Sequence, residues 1–377
     1  MAKERSRKIR VFHIITHFDL GGAERIAANI AKSGNEDMEY HVVEVLRGNS
    51  NFTSCFISEL EDAGVCCHRS LMPEFHFHFI AERLVAILFP IRFLLLWLRY
   101  HPDVIHAHTE IPDMCLYAFF RVFSWLQRRC RIVRTIHNTC LWTGLKHFGR
   151  KVERFYQRSN ANVAISRAVA ESYGGEYGEQ VPVIYNGVEK VIQKPFPGLD
   201  NQKTNVLFAG RLEKQKGVSH LIYLIKEMLN ASQYHFYVVG GGLLQKVVDK
   251  ELGSLPNVSI YKPMFGLSAY VGSFDYMLMP SEFEGLGLMS VEASLAGVPV
   301  VCNDCAGLNE TVSPDWQLMV HDNSHAEYTH IFRDVLPQTN RDELSQRARC
   351  FVEERFSMGK MQKEYEKIYL DYVHDNR

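Results

Sequence analysis

The feature that most constrains how this chain can fold is an alternation of short apolar runs with longer spans that have helical patterns. The apolar runs are rich in β-branched residues, and this alternation is typical of a parallel sheet covered by helices. In the first half it predicts strands at residues 9–16, 41–46, 104–107, 131–136, 162–165 and 181–184. Helices are predicted at residues 21–31 and 85–98.

A polar stretch with prolines and glycine interrupts this alternation after residue 187 and ends near Thr204, as expected for a linker. The pattern then restarts, with strands predicted at residues 205–209, 235–239, 258–261, 276–279 and 299–302 and helices at 218–229, 290–296 and 361–373. A chain of 377 residues is also long for a single core. We therefore predict an α/β protein of two Rossmann-like, doubly wound domains that face each other across a cleft. The first covers residues 1–190 and the second 200–355, and residues 356–377 form a C-terminal helix that could pack back on the first domain.

Composition and charge argue against several classes of protein. The net charge of −1 disfavours a nucleic-acid-binding protein, which normally carries a strong basic excess. No signal peptide is expected, because the apolar run that begins at Val11 is too short. The nine cysteines are scattered and odd in number, so we expect reduced thiols in a cytoplasmic protein. Cys302 and Cys305 form a CxxC, but without a second ligand pair at zinc spacing the sequence does not favour a metal or redox site.

Two segments leave open whether the protein contacts a membrane. The basic residues of the chain start either form a solvated tail or are attracted to an anionic lipid surface: Lys3, Arg5, Arg7, Lys8 and Arg10. The apolar stretch 85–98 is too short to cross a bilayer, and Arg92 interrupts it. It is either a buried core helix or an interfacial helix. Six aromatic residues keep the second interpretation open: Phe75, Phe77, Phe79, Phe89, Phe93 and Trp97.

Polar and glycine residues follow several predicted strands, at the strand ends where parallel sheets bind ligands. Residues 280–293 follow one such strand and run into a helix. Gly285 and Gly287 allow backbone amides to approach a diphosphate closely. Glu284 and Glu292 could accept paired hydrogen bonds from sugar hydroxyls. The alternative is an ordinary helix start with acidic residues.

Basic residues follow the first strand of the second half. Arg211 and, five residues later, Lys216 could clamp a leaving diphosphate without a metal, or could belong to a solvated charged loop. A run of three glycines follows the next predicted strand and allows either a tight turn near a ligand or a plain flexible turn: Gly240, Gly241 and Gly242.

The first half offers a glycine pair and two histidines. Gly21 and Gly22 open a helix after the first strand, but the pattern is not GxGxxG and no acidic residue ends the next strand, which disfavours NAD. His108 and His137 each follow a predicted strand directly. Most of the 17 histidines must be structural, so only their strand-end placement singles these two out.

Taken together, these residues resemble the GT-B glycosyltransferases of family 4, the glycosyl transferases of group 1. The resemblance extends over nearly the whole chain, and the motifs occur in the family's order. The matching segments are residues 21–25, 102–108 and 185–188, Gly210-Arg211-Leu212 with Lys216-Gly217, the E-x7-E stretch from Glu284 to Glu292, and residues 296–301. Each motif is weak alone, whereas their joint order and spacing are specific.

The resemblance implies a role for each matching residue. Arg211 and Lys216 would neutralise the donor diphosphate. Glu292 would bind the ribose hydroxyls, and Glu284 would lie near the transferred sugar. His137 would hydrogen-bond the donor sugar beside the anomeric centre. The remaining implied donor-binding positions are Gly22, which would line the pocket from the acceptor side, and His108, Gly210, Gly240, Gly241, Leu286, Gly287 and Leu288.

The implied function is a glycosyltransferase of the hexosyltransferase class, acting in bacterial surface polysaccharide assembly. It would move a sugar, with retention of configuration, from a nucleotide diphosphate sugar to a glycan or lipid-linked acceptor. A UDP-sugar is favoured as the donor and a GDP-sugar stays open. No metal or cofactor is expected, since no DxD-like acidic pair stands at a strand end. Peripheral contact with the inner face of the cytoplasmic membrane stays open, as do two other functions: a nucleotide-sugar epimerase and a catalytically silent nucleotide-sugar-binding partner.

Overall fold

The computed structural model describes residues 7–73 and 78–375, which form two compact units. One unit consists of the described residues through Gly187 together with the C-terminal helix from Met358, and the other is Val188–Ser357. Each unit is built on a six-stranded parallel sheet flanked by helices. The protein therefore has the two-domain, Rossmann-like α/β architecture that the sequence predicts.

The first unit contains strands β1 to β6 and helices α1 to α6. The strands are β1 (Ile9–Ile15), β2 (Met38–Glu44), β3 (Cys66–His68), β4 (Val104–His108), β5 (Arg131–Ile136) and β6 (Asn162–Ala164). The helices are α1 (Gly22–Ala31), α2 (Thr53–Asp62), α3 (His78–Tyr100), α4 (Glu110–Val122), α5 (Lys146–Arg158) and α6 (Arg167–Tyr177).

The second unit contains strands β7 to β12 and helices α7 to α11. The strands are β7 (Thr204–Arg211), β8 (Tyr234–Gly241), β9 (Val258–Tyr261), β10 (Tyr276–Met279), β11 (Val300–Asn303) and β12 (Met319–Val320). The helices are α7 (Val218–Glu227), α8 (Gln245–Leu252), α9 (Leu288–Leu295), α10 (His325–His330) and α11 (Arg341–Arg355). The last helix of the chain, α12 (Met358–Asp375), returns to the first unit, where Gln362 donates a 2.6 Å hydrogen bond to the carbonyl of Asn29.

The two sheets repeat one strand order. The first runs β3-β2-β1-β4-β5-β6 and the second β12-β11-β10-β7-β8-β9, so each winds outward in both directions from its first strand. In such a sheet the loops after the two central strands diverge and leave a crevice at the carboxyl ends, the topological switch point where ligands bind. The switch point lies between β1 and β4 in the first unit and between β10 and β7 in the second.

Three predicted features differ from the structure. Residues 181–184 form no strand and make only a single bridge, Val183 to Ala164. The edge strands β3 and β12 were missed because three and two residues are too short to produce a pattern. Gly240 and Gly241 do not form a turn after β8 but are its last two residues, paired with Gly210 and Arg211 of β7.

Helix α3, which includes residues 85–98, buries aromatic side chains in the first unit. Phe93 and Trp97 are buried and pack with Phe119 of α4, and the buried Phe89 stacks on Phe93. These aromatic residues therefore do not support the interfacial interpretation. Arg92 also points inward, donating 2.7–3.2 Å hydrogen bonds to three backbone carbonyls. Lys3, Arg5, Phe75, Phe77 and the side chain of Phe79 lie outside the described residues. No helix in the described part of the chain is both long and apolar enough to cross a bilayer.

Candidate functional site

At the switch point of the second unit, the loops after β7 and β10 are fastened to each other. The backbone amide of Glu282 donates a 2.8 Å hydrogen bond to the carbonyl of Gln215, and the Gln215 side-chain amide donates to the carbonyl of Phe283 at 3.2 Å. Asn303, at the end of β11, donates to the carbonyl of Ser281 at 2.9 Å. These bonds fix the backbone around the basic and acidic residues predicted to bind a diphosphate sugar.

Lys216 and Glu284 form the ion pair at the centre of this arrangement. The Lys216 Nζ lies 2.6 Å from Oε1 of Glu284, which also accepts a 2.8 Å hydrogen bond from the hydroxyl of Ser281. The Lys216 side chain is 20% exposed and that of Glu284 only 7%. A partly buried ion pair is less screened by solvent than a surface pair, so each partner holds the other in a defined position.

Glycine is required at two positions beside this pair. Gly217 has a φ of 67°, and a Cβ at this position would lie 1.7 Å from the carbonyl oxygen of Pro280. Because Gly217 has no Cβ, the loop that carries Lys216 can lie directly on the end of β10. Gly287 has a φ of 85° and caps the N-terminus of α9, just before Leu288. Only glycine adopts this left-handed conformation freely, and a Cβ here would lie 2.8 Å from Cδ1 of Leu308.

Arg211 lies at the end of β7, and 62% of its side chain is accessible to solvent. Its guanidinium contacts a carboxylate oxygen of Glu213 at 3.1 Å and donates to the side-chain oxygen of Gln215 at 3.2 Å. Both contacts lie on the same loop, so Arg211 is oriented by short-range partners while its guanidinium stays available to an anion.

The glycines at the ends of β7 and β8 have a structural explanation. A Cβ on Gly240 would lie 1.9 Å from the carbonyl oxygen of Gly210, so the two strands approach too closely for a side chain there. A Cβ on Gly241 would contact the ring of Pro263 at 3.2 Å. Close strand packing at Gly210, Gly240 and Gly241 therefore explains these glycines, independently of any ligand contact that their backbone makes.

The second glutamate of the E-x7-E stretch borders a small cavity of the second unit. Glu292 is on the second turn of α9 and borders a cavity of about 110 Å³. The polar residues that share this lining are Glu189, Lys190, Gln193, Ser268 and Arg349. Glu284 and the buried Leu286 are not among the lining residues. The role in binding ribose hydroxyls that the resemblance implies for Glu292 stays a prediction.

At the switch point of the first unit, the two predicted histidines form part of a hydrogen-bonded chain. His108 ends β4, and its Nδ1 lies 3.2 Å from Nε2 of His137, the first residue after β5. Its Nε2 lies 3.0 Å from Nδ1 of His13 on β1. All three are buried, and burial lowers the pKa of His13 and of His137 to about 3 and that of His108 well below its ordinary value. The three imidazoles are therefore neutral near pH 7.

The loops after β1 and β4 contact each other next to this chain. The hydroxyls of Thr16 and Thr109 lie 2.9 Å apart and join the loops that follow β1 and β4. Glu24 is buried in the first turn of α1, and burial raises its pKa. A Cβ on Gly21 would lie 2.0 Å from its carboxylate oxygen. Gly22, the first residue of α1, is exposed and leaves the start of that helix open to a ligand.

His13 is the residue of this group that the sequence analysis missed. It lies inside an apolar strand, where a histidine is usually interpreted as a core residue. The available signal was the register: His13 pairs with His106 across β1 and β4, and His106 precedes His108 by two residues, on the same face of the sheet. Ser281 and Gln215 were also missed as partners, because their contacts depend on the meeting of two distant loops.

Two groups of side chains in the described residues have donor atoms close enough to hold a metal ion: His13, His106 and His108, and Glu39, His41 and Cys66. The nitrogens of His106 and His108 already pair with other side chains at 2.7–3.2 Å. His41 pairs in the same way with Glu39 and His68 at 2.9 Å. Cys302 and Cys305 are buried free thiols, and burial raises the pKa of the Cys305 thiol to about 12, which disfavours the thiolate that a metal needs.

Comparison with known proteins identifies the family. Residues 20–190 match the model of Glycosyltransferase Family 4, and residues 203–336 match that of Glycosyl transferases group 1. The chain belongs to glycosyltransferase family 4. It is a transferase of two Rossmann-like domains, with the GT-B fold, as the sequence motifs predicted.

Several relatives of this glycosyltransferase have related names. An uncharacterized 41.2 kDa protein of the cps region of Klebsiella pneumoniae is 28% identical over 290 residues, which is 72% of this chain and 79% of that protein. A capsular polysaccharide biosynthesis glycosyltransferase of Staphylococcus aureus is 23% identical, covering 76% and 78% of the two chains. The structure of Anabaena HepE in complex with UDP and glucose has a TM-score of 0.74 at 20% identity and covers 96% of this chain and 100% of HepE, which shows the shared fold.

Proposed function

We propose that this glycosyltransferase moves a sugar from a UDP-sugar to a glycan or lipid-linked acceptor of surface polysaccharide assembly, with retention of configuration and without a metal. The observation that carries the proposal is the Lys216–Glu284 pair, 2.6 Å apart, with Arg211 on the same loop as Lys216. Two cations and the N-terminus of α9 at one switch point suit a diphosphate. The solved complex of HepE with UDP and glucose, and the capsular role in the name of the Staphylococcus aureus relative, support the donor and the acceptor class.

The proposed chemistry follows from where charge develops. Breaking the bond between sugar and phosphate places positive charge on the sugar and negative charge on the departing phosphate. Arg211 and Lys216 stabilise the negative charge, because fixed cations act most strongly where they need not reorganise. The acceptor hydroxyl then attacks from the face that the phosphate leaves and transfers its proton to the phosphate, so that retention needs no covalent enzyme intermediate.

A pair of lysine variants tests the diphosphate site. Lys216→Ala should lower kcat by about 10²- to 10³-fold, the usual cost of removing one preorganised charge-stabilising group. Lys214→Ala is the matched control, because Lys214 is an exposed lysine of the same short turn. Turnover of Lys216→Ala within about threefold of the native rate would refute the assignment.

The donor is tested before the acceptor is known. In a thermal-shift panel of UDP- and GDP-sugars, UDP-sugars should raise the Tm of the native protein and of Lys214→Ala but not that of Lys216→Ala. Stabilisation by GDP-sugars alone would exclude the proposed base. Release of free UDP without glycosylation of any acceptor would favour the epimerase, and stabilisation without any turnover would favour a silent binding partner.

A second proposal concerns the acceptor's location: the first unit contacts the membrane surface through the outer face of α3. Four aliphatic side chains on this face are between 58% and 68% exposed: Ile87, Ile91, Leu95 and Leu98. Their spacing of four, four and three residues places them along one face of the helix, opposite the buried aromatic residues. Arg99 adds an exposed cation at the end of this face. An apolar stripe with a basic end is the pattern of an interfacial helix on anionic lipid.

Vesicle binding tests this proposal. The double variant Ile91→Glu and Leu95→Glu should weaken cosedimentation with vesicles rich in anionic lipid by at least about tenfold, since each side chain would otherwise bury apolar area. Leu229→Glu is a control at an exposed leucine of the second unit. Equal sedimentation of the native protein and the double variant would exclude α3 as the contact.

A further inference from the structure

The first unit contains a chain of three buried imidazoles that ends on the candidate active-site histidine. Nδ1 of His13 lies 3.0 Å from Nε2 of His108, and Nδ1 of His108 lies 3.2 Å from Nε2 of His137. We call His13, His108 and His137 the histidine relay. A neutral imidazole has one nitrogen that donates and one that accepts a hydrogen bond. If His108 donates through one nitrogen it must accept through the other, so both bonds of the relay run in the same direction.

The direction of these hydrogen bonds follows from His13, which is the end of the relay inside the protein. Nε2 of His13 is buried and has no hydrogen-bond partner. A buried N–H without an acceptor is rarer and more costly than a buried acceptor without a donor. The proton of His13 therefore belongs on Nδ1, from which it is donated to His108. His108 then carries its own proton on Nδ1 and donates it to Nε2 of His137.

The neighbouring histidine does not interrupt the relay. The ring of His106 lies 4.1 Å from that of His108, centroid to centroid. Its Nδ1, however, pairs with the hydroxyl of Tyr369 and its Nε2 with that of Thr135, both at 2.7 Å. His106 packs beside the relay but exchanges no hydrogen bond with it.

We propose that His13 and His108 are positioning residues that hold His137 in the tautomer with its proton on Nδ1, so that His137 presents an N–H donor to its ligand. Within the described residues, no hydrogen bond occupies Nδ1 of His137. The ligand atom that it selects is a hydrogen-bond acceptor, such as a hydroxyl oxygen of a sugar. That the ligand is the donor sugar rests on the proposed function, whereas the tautomer follows from the relay alone.

The tautomer can be read directly by NMR of the native protein labelled with ¹⁵N in its histidines. Long-range ¹H–¹⁵N correlation distinguishes a protonated from an unprotonated ring nitrogen. His137 should show a protonated Nδ1 and an unprotonated Nε2 at pH 7. A proton on Nε2 of His137, or on both nitrogens, would overturn the proposal without any variant.

Two substitutions of His13 test the action at a distance. His13→Phe keeps an aromatic ring but removes the N–H that orients His108, so the Nδ1–H form of His137 should no longer be the only one seen. His13→Asn places an amide N–H near the former Nδ1 and should restore that form. In donor turnover, His13→Phe should lower kcat/KM by about tenfold, close to the worth of one hydrogen bond, and His13→Asn should recover most of it. An unchanged His137 tautomer in His13→Phe would contradict the relay.

The experiment separates this proposal from the proposed function. The tautomer of His137 is observed without any substrate, so it can be assigned even if no UDP-sugar binds. Addition of a UDP-sugar should then shift the Nδ1 resonance of His137. A protonated Nδ1 that responds to no nucleotide sugar would support the relay and argue against the donor. If His13→Phe does not fold, the native spectrum still decides the direction.

Discussion

The loops after β1 and β4 of the first unit meet over buried, neutral histidines, whereas those after β7 and β10 of the second meet around cations. The two sheets have the same strand order, so the backbone provides the same crevice twice. The two switch points differ in whether their polar side chains form hydrogen bonds within the protein or are exposed to solvent. Both ring nitrogens of His108 are paired with protein groups, while Arg211 is 62% exposed and, among the described residues, pairs with Glu213 and Gln215 of its own loop.

Polar groups that are paired within the protein stabilise a domain, whereas exposed polar groups are available to bind a ligand. A buried polar group must find its partner within the protein, because burial without one costs free energy. An exposed cation contributes little to stability and remains free to bind an anion. We therefore expect substitutions of buried, paired groups of the first unit to change stability, and those of Arg211 mainly to change turnover.

The largest contrast is expected between two arginines. The guanidinium of Arg134 on β5 is buried and donates 2.6–2.8 Å hydrogen bonds to Asp113 and to both carboxylate oxygens of Glu153. Although burial opposes it, Arg134 keeps the pKa of Glu153 below its ordinary value. Arg134→Met leaves these acids unpaired and should lower the unfolding free energy of the first unit by about 3–5 kcal/mol.

Arg211→Met is the matched control, with an expected change in stability within about 0.5 kcal/mol and a large loss of turnover. Urea denaturation followed by tryptophan fluorescence reports mainly on the first unit, which holds three of the four tryptophans. Among them is Trp142, whose indole donates to Glu153 at 2.6 Å. Equal destabilisation by the two substitutions would break the distinction between the units.

Acid should weaken the first unit through its buried histidines. Burial lowers the pKa of His13 to about 3, against an ordinary value of 6.5. Between these values the unfolded chain takes up a proton that the folded chain does not, so stability is lost as the pH falls below about 6.5. Each such histidine contributes a slope of about 1.4 kcal/mol per pH unit within that window.

The control for this pH dependence is His13→Phe, which removes one of the titrating groups while His106, His108 and His137 remain. Its unfolding free energy should fall less steeply than that of the native protein between pH 6 and pH 4. Parallel pH profiles for the two proteins would mean that His13 is already protonated in the folded state or that it is not the group that titrates.

The sequence predicted the fold, and which residues lie at the second switch point, better than the arrangement of the first. Strands such as Arg131–Ile136 and Tyr276–Met279 were predicted to the residue, because buried parallel strands are short apolar runs with sharp ends. Arg211, Lys216 and Glu284 were predicted as site residues because each follows a strand within a family motif. Nothing in those motifs states that Lys216 and Glu284 are bonded to each other, since their contact joins residues 68 positions apart.

Neither the histidine relay nor the buried face of α3 could be predicted from the sequence, for related reasons. His13 has no motif of its own, and only the pairing of β1 with β4 brings it beside His108. The apolar composition of α3 was evident, but its low contrast between faces did not reveal that Phe93 and Trp97 are the buried side and Ile91 and Leu95 the exposed side. Packing against α4 decides which face is buried, and that choice is a property of the tertiary structure.

The smallest predicted effect concerns the last helix, which belongs to the first unit. On α12, the hydroxyl of Tyr369 lies 2.7 Å from Nδ1 of His106, and that of Tyr365 lies 2.8 Å from the hydroxyl of Thr135, which in turn lies 2.7 Å from Nε2 of His106. Each substitution, Tyr369→Phe or Tyr365→Phe, removes one hydrogen bond of this buried chain and should cost about 1 kcal/mol. Tyr328→Phe is the counterpart in the second unit, where a buried tyrosine donates to Asn323 at 2.8 Å.

If α12 is joined to the sheet through one continuous network, the two tyrosines of that network are not independent. The double variant Tyr365→Phe and Tyr369→Phe should then depart from the sum of its single variants by at least about 0.5 kcal/mol, because both act on His106. The pair Tyr369→Phe and Tyr328→Phe shares no partner and should be additive within about 0.3–0.5 kcal/mol. Additivity in both pairs, measured by urea denaturation, would mean that α12 is held by its packing and by Gln362 rather than by a network centred on His106.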